Sequence, residues 1–148
     1  MNILFRFLFL SALCISVWAP TSQAQQNLTT KEVEQSIQNN GIYALMVMTE
    51  QHLKAALITG TEFLNFSADI DFKIVVCGGI VKEISTNEVL KSVINQHIDK
   101  GISVLMCGLT LKNLKLDAST MPEKAEITQN GITYFFGLQE LGYKTLSL

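Results

Sequence analysis

Arginine is almost absent from this chain. Arg6 stands alone among the 148 residues, and the ten lysines are scattered without forming a run or a patch. Surfaces that bind nucleic acid are built from clustered cations, so no nucleic-acid partner is expected. There is no Cys-x-x-Cys, the two histidines lack paired spacing, and no Ser-His-Asp arrangement can be read. A zinc site needs closely spaced ligands of that kind, so neither a metal nor a cofactor is expected. Internal repeats, low-complexity segments and a second domain are also missing.

What is present begins with a leader. Arg6 precedes an unbroken apolar run, FLFLSALCISVWA, and Pro20 and TSQA follow it. A positive start, a short apolar core and small residues before a cut are the pattern of a secretory signal. Residues 1–24 are read as that signal, with Ser22 and Ala24 as the small residues at the site. The run is shorter than the roughly 20 residues a membrane span needs. The expectation is an exported, periplasmic protein with no stable membrane association after cleavage. Residues 25–148 are one domain's worth of chain, with three more acids than lysines (13 against 10). Two cysteines remain, Cys77 and Cys107. An even count in an exported chain ordinarily suggests a disulfide, but a domain of this size does not depend on a staple.

Hydrophobic patterning divides the domain into alternating elements. TTKEVEQSIQNNG has capping-box spacing at Thr29 and Glu32, which predicts a helix ending at Gly41. IYALMVMT is a continuous apolar run of strand length, as in sheets covered on both faces. EQHLKAALITGTEFLNF repeats Leu53, Ala56, Leu57, Gly60, Phe63 and Leu64 at helical spacing. Gly60 is unfavourable there by about 1 kcal/mol relative to alanine, and close packing on the sheet would account for it. FKIVVCGG then reads as a strand meeting a glycine pair. STNEVLKSVINQHIDKG reads as a helix with Ser85 and Glu88 as a second capping box and Gly101 as its stop. ISVLMCG is a third strand, LTLKNLKL a short helix, AEIT a short strand, GITYFFGLQELG an apolar helix and YKTLSL a last strand. Strands alternating with helices predict an α/β fold: a three-layer α/β/α domain with a mainly parallel five-stranded sheet.

In open parallel sheets, ligands collect beyond the carboxyl ends of the strands. That rule selects Glu50 and His52, Cys77 with Gly78 and Gly79, and Cys107 with Gly108. Cys107 is the leading candidate. It ends an apolar strand where a helix begins, and unpaired amides and a helix dipole favour a thiolate there. Thr110 could cap that helix and Lys112 could add positive charge. The ordinary alternative is a buried cysteine acting as a small apolar residue. Cys77 reads first as core, yet if its strand neighbours that of Cys107 the two thiols could form a reversible disulfide. The CGGI turn could bring amides to an anion, because glycine permits close approach. His52 could accept a proton near Cys107, or could simply be a solvated helix residue. His97, beside Val93 and Ile94, reads as a partly buried helix residue.

GISVLMCGLTLKNLKL followed by AEITQNGITYFFGLQELGYKTLSL resembles the DsrE/DsrF-like family of sulfur-relay proteins. The matching residues are Gly101, Cys107, Thr110, Leu111, Gly131, Leu138, Gln139, Gly142 and Tyr143, and FKIVVCGGIVKEI resembles an earlier strand and turn of that family. The resemblance implies the DsrEFH-like sheet and a homo-oligomer. It also implies a persulfide on Cys107, exchanged with a sulfur donor or an acceptor thiol. The amides of Gly108 and Leu109 would then stabilise the charged sulfur. Cys77 stands where exported relatives often carry histidine, and Leu109 where asparagine is frequent. The residues leave three readings open. The first is a sulfur carrier or sulfurtransferase-like protein using Cys107, which leaves undecided whether the chain is an enzyme. The others are a thiol-disulfide redox protein cycling Cys77 and Cys107, and a non-catalytic oligomeric binding module.

Overall fold

Parallel strands cannot be joined by tight turns, so every connection must cross over a face of the sheet. The computed structural model describes residues 27–148, and the leader read over residues 1–24 lies outside them. Five strands form one sheet: β1 (Ile42–Val47), β2 (Asp71–Val76), β3 (Ser103–Cys107), β4 (Glu126–Thr128) and β5 (Lys144–Ser147). Every pairing is parallel, and the order is β4-β3-β2-β1-β5. The helices are α1 (Thr30–Glu34), α2 (Glu50–Phe66), α3 (Ile80–Thr86), α4 (Glu88–Ile98), α5 (Gly108–Leu114) and α6 (Gly131–Glu140).

Strand order and helix placement follow from one handedness rule. Crossovers between parallel strands are right-handed, so stepping β1 to β4 in one direction keeps the intervening helices on one face. Leu53 and Leu57 of α2, Ile80 and Ile84 of α3, Leu90 and Ile94 of α4 and Leu111 of α5 accordingly share one core with Phe72, Ile74, Val76, Val104 and Met106. The last connection returns across the sheet to the far side of β1. The same handedness then puts α6 on the opposite face, where Phe135 and Leu138 pack on Ala44, Met46, Val75, Cys77 and Cys107. This is the expected three-layer α/β/α architecture.

Local sequence accounts for most boundaries. Thr49 caps α2 by accepting from the His52 amide at 3.2 Å, and Gly101, at φ 103°, ends the turn after α4. Two expectations need correction. The capping box at Thr29 forms, but α1 is only five residues long and buries none of them, with Val33 exposed. Ser85, by contrast, is not a cap. It lies inside α3, a helix that patterning did not predict, and its hydroxyl donates to the Lys82 carbonyl at 2.6 Å. Asn87 caps α4 instead, accepting from the Leu90 amide at 3.0 Å.

Candidate functional site

The strand alternation that sends Val76 and Met106 into the larger core sends their successors to the other face. β2 and β3 pair with Val76 opposite Met106. One step further along, Cys77 and Cys107 therefore lie side by side beneath α6. Both thiols are free and buried, with 5% and 2% of their surfaces exposed.

Their place in the topology is specific. The chain leaving β3 turns into α5 on one face, whereas the chain leaving the neighbouring β4 turns into α6 on the other. Adjacent strand ends whose connections part in this way open a crevice, the usual ligand site of such sheets. Cys107 pairs with Thr128 across that boundary. Gly131, the first residue of α6, covers both sulfurs, and its amide donates to Cys107 Sγ at 3.2 Å. A β-carbon at residue 131 would lie 2.7 Å from Cys77 Sγ and 3.2 Å from Cys107 Sγ. Only glycine lets the helix start this close to the pair. Asn130 fixes that start by accepting from the Ile132 amide at 3.0 Å.

The two thiols are pushed apart electrostatically. Burial alone would raise Cys107. The hydroxyl of Thr110, the amides of Gly131 and Thr110 and the Cys77 thiol outweigh it and hold Cys107 below the usual thiol range. Cys77 moves the other way. Burial, the adjacent Cys107 charge and its hydrogen bond to Cys107 push it up to about 12. The arrangement is one thiol that ionises more readily than usual, hydrogen-bonded to a neighbour that keeps its proton, both shielded from water. A thiol that ionises more readily supplies more of the thiolate, the form that attacks an electrophile.

The remaining candidates fall around this pair or away from it. Thr110 does not occupy the cap position, because Cys107 does. The Thr110 hydroxyl instead accepts from the Gly78 amide at 3.3 Å, and so ties the glycine turn after β2 to the thiol. Gly78 adopts φ 71°, a conformation that favours glycine. Gly79 is exposed and precedes α3. Gly108 is pressed against β4, where a β-carbon would collide with the Thr128 carbonyl oxygen. Leu109 is 38% exposed beside it. Lys112 is exposed and is not among the groups that hold Cys107 down.

His52 sits in the first turn of α2, a helix of the opposite layer, and is not among the groups that shift either thiol. Its Nδ1 is buried without a partner. His97 is a part-buried helix residue whose ring meets the Val93 carbonyl at 2.8 Å. In sequence Gly131 stands out only as a residue matching the DsrE/DsrF-like pattern, and Asn130 does not stand out at all. The cue is an asparagine-glycine pair separated by one residue from a short strand, at the start of an apolar helix.

Beside the pair, on the same sheet face, a cleft of about 390 Å³ is lined by Leu105, Thr128, Asn130 and Tyr134 among others. The thiols do not line it. Among the described residues, no three or more His, Cys, Asp or Glu side chains cluster as a metal site. No helix among them is long and apolar enough to cross a membrane.

No protein-family model matches the sequence, and no curated protein does. Solved structures do share the fold. A protein of unknown function from Methanobacterium thermoautotrophicum has a TM-score of 0.60 and 14% identity, covering 73% of this chain and 99% of its own. A conserved protein of unknown function from Bacteroides thetaiotaomicron has a TM-score of 0.61 and 17% identity, covering 74% and 96%. Identities this low carry architecture and not activity. The chain is a three-layer α/β/α domain built on a parallel five-stranded sheet, sharing its fold with proteins whose own function is unknown.

Proposed function

We propose that this protein carries sulfane sulfur as a persulfide on Cys107, as the DsrE/DsrF-like proteins that its C-terminal half resembles do. The observation that carries the reading is the Gly131 amide at 3.2 Å from Cys107 Sγ. Together with Thr110 it favours an anionic sulfur at the end of β3. In the loading step the Cys107 thiolate attacks a sulfane sulfur, the donor's S–S bond breaks, and the donor leaves one sulfur shorter. The product is a Cys107 persulfide, whose outer sulfur then passes to an acceptor thiol. Burial of the thiol favours a small inorganic donor such as a polysulfide over a protein.

Intact mass of the reduced protein after exposure to polysulfide tests this. Wild type and Cys77→Ser should each gain sulfur that a reductant removes, and Cys107→Ser should gain none. Equal uptake by Cys107→Ser would sink the reading. The adjacency of Cys77 supports a second reading, a dithiol-disulfide couple. Under that reading a mild oxidant removes two hydrogens from the wild type alone, at a reversible potential, and no sulfur is retained.

Export and self-association belong to the same proposal. N-terminal sequencing of the secreted protein should begin at Gln25. The exposed Ile132 and Phe136 of α6 favour a homo-oligomer, which light scattering after size exclusion would detect.

A further inference from the structure

Cys77 has no role in a simple carrier, and its position asks for one. It is the next residue on the neighbouring strand, on the same face, with its sulfur under the same Gly131 that covers Cys107. Neighbouring strands lie about 4.8 Å apart, inside the roughly 4.4–6.8 Å between Cα atoms that a disulfide spans. Burial of both residues slows the approach of solvent thiols to the inner sulfur. Cys77 is already next to it.

We infer that Cys77 is the resolving thiol of this site: it attacks the inner sulfur of a Cys107 persulfide, closing a Cys77–Cys107 disulfide and releasing hydrosulfide. The inference rests on the persulfide reading above. Persulfide anion and thiol give disulfide and hydrosulfide. The Cys77 proton moves to the outer sulfur, the Cys77–Cys107 S–S bond forms, and the bond between inner and outer sulfur breaks. The outer sulfur departs with the electron pair, reduced to the sulfide level, while the two cysteines are oxidised. A low-molecular-weight thiol, small enough to reach the buried pair, must supply two electrons and two protons to restore it in a slower step. The site is thereby assigned a further activity, the reduction of sulfane sulfur to sulfide, in addition to its transfer.

The test uses reduced wild type, Cys77→Ser and Cys77→Ala, each loaded with inorganic polysulfide and then desalted. Intact mass and free hydrosulfide are followed over time. Wild type should lose its added sulfur and two hydrogens together, releasing one hydrosulfide per chain at a rate independent of protein concentration. Both variants should hold the sulfur roughly tenfold longer or more, since each loses an intramolecular nucleophile. A wild type that keeps its sulfur as long as the variants overturns the resolving role and leaves the persulfide reading standing. Failure of all three proteins to take up sulfur overturns both. Circular dichroism checks the fold of each variant, and either one alone suffices for the comparison.

Discussion

Replacing Gly131 by alanine puts the central geometry at risk with one methyl group. The new β-carbon would sit 2.7 Å from Cys77 Sγ, 3.0 Å from Cys107 Cβ and 3.2 Å from Cys107 Sγ. Neither cysteine can swing aside as the tip of a long side chain could. Both are held on strand ends within a buried cluster with Ala44, Met46, Val75, Phe135 and Leu138. The start of α6 must therefore lift, and overpacking of this kind costs about 1–3 kcal/mol. Alanine's helix preference returns about 1 kcal/mol, so a net loss of up to about 2 kcal/mol is expected. Lifting the helix also lengthens the amide contact to Cys107. The thiol then loses one of the donors that offset its burial, and its pKa rises. Gly137→Ala is the control. It lies exposed within the same helix, with nothing within 4 Å of a β-carbon, and should stabilise by about 0.4–1 kcal/mol. Urea unfolding reads the stabilities, and iodoacetamide alkylation against pH reads the thiol. Gly131→Ala should unfold at lower urea than Gly137→Ala and show an alkylation midpoint at higher pH than wild type. If Gly131→Ala matched Gly137→Ala in stability and wild type in its alkylation profile, the close cover over the thiols would be refuted.

Thr110→Val removes both the acceptor for the Gly78 amide and a donor to Cys107. Its alkylation midpoint should move to higher pH while that of Thr110→Ser stays near wild type, and identical profiles for Val and Thr would remove the hydroxyl from the site. Gly60→Ala would press a β-carbon to 2.8 Å from Ile102 Cδ1 and Phe72 Cδ1, so after the helix-preference gain of about 1 kcal/mol the urea midpoint should fall by the equivalent of up to about 2 kcal/mol. An unchanged midpoint would show that α2 has slack against the sheet. Stability should also decline in alkali. Cys77 holds its proton more tightly when folded, so its contribution is complete below the ordinary thiol value of 9.0 and is lost as pH rises toward about 12. Cys107 has the opposite sign, contributing above its unfolded pKa and losing that contribution as pH falls through its lowered folded value. Cys77→Ala should therefore lose less stability than wild type across the alkaline window, and parallel losses would contradict the raised pKa.

The fold was legible where one local signal dominated. IYALMVMT is apolar at successive positions because β1 is covered on both faces. The helix α2 was readable from the repeat of Leu53, Ala56, Leu57 and Gly60, all four of which are buried, whereas its cap Thr49 reads in sequence as the end of the preceding strand run. The segment after Cys77 was not. Gly78 and Gly79 mark a turn, and the seven residues of α3 are too few to establish a helical period. Ser85 and Glu88 have the spacing of a cap, but Ser85 is buried inside α3, and the side chain able to reach the Leu90 amide is that of Asn87. Spacing alone could not choose between them.

The site shows a different boundary between sequence and structure. That Cys107 ends a strand and begins a helix is a local property, and the apolar run before it and the polar turn after it reveal it. That Cys77 stands beside it is not local. The pairing requires β2 next to β3 and Val76 in register with Met106. A slip of one residue would turn one thiol to the opposite face. The cover from Gly131 requires in addition that the return connection run on the face opposite α5, which the handedness of crossovers dictates once β5 pairs with β1 on its far side. The same contact contributes to both shifts. As the Cys77 proton stabilises charge on Cys107, that charge makes the Cys77 proton harder to lose. A change of register would remove the mutual part of both shifts, whereas loss of Thr110 or Gly131 would act chiefly through Cys107. Titrating both cysteines in each variant can therefore distinguish a broken pair from a weakened anion site.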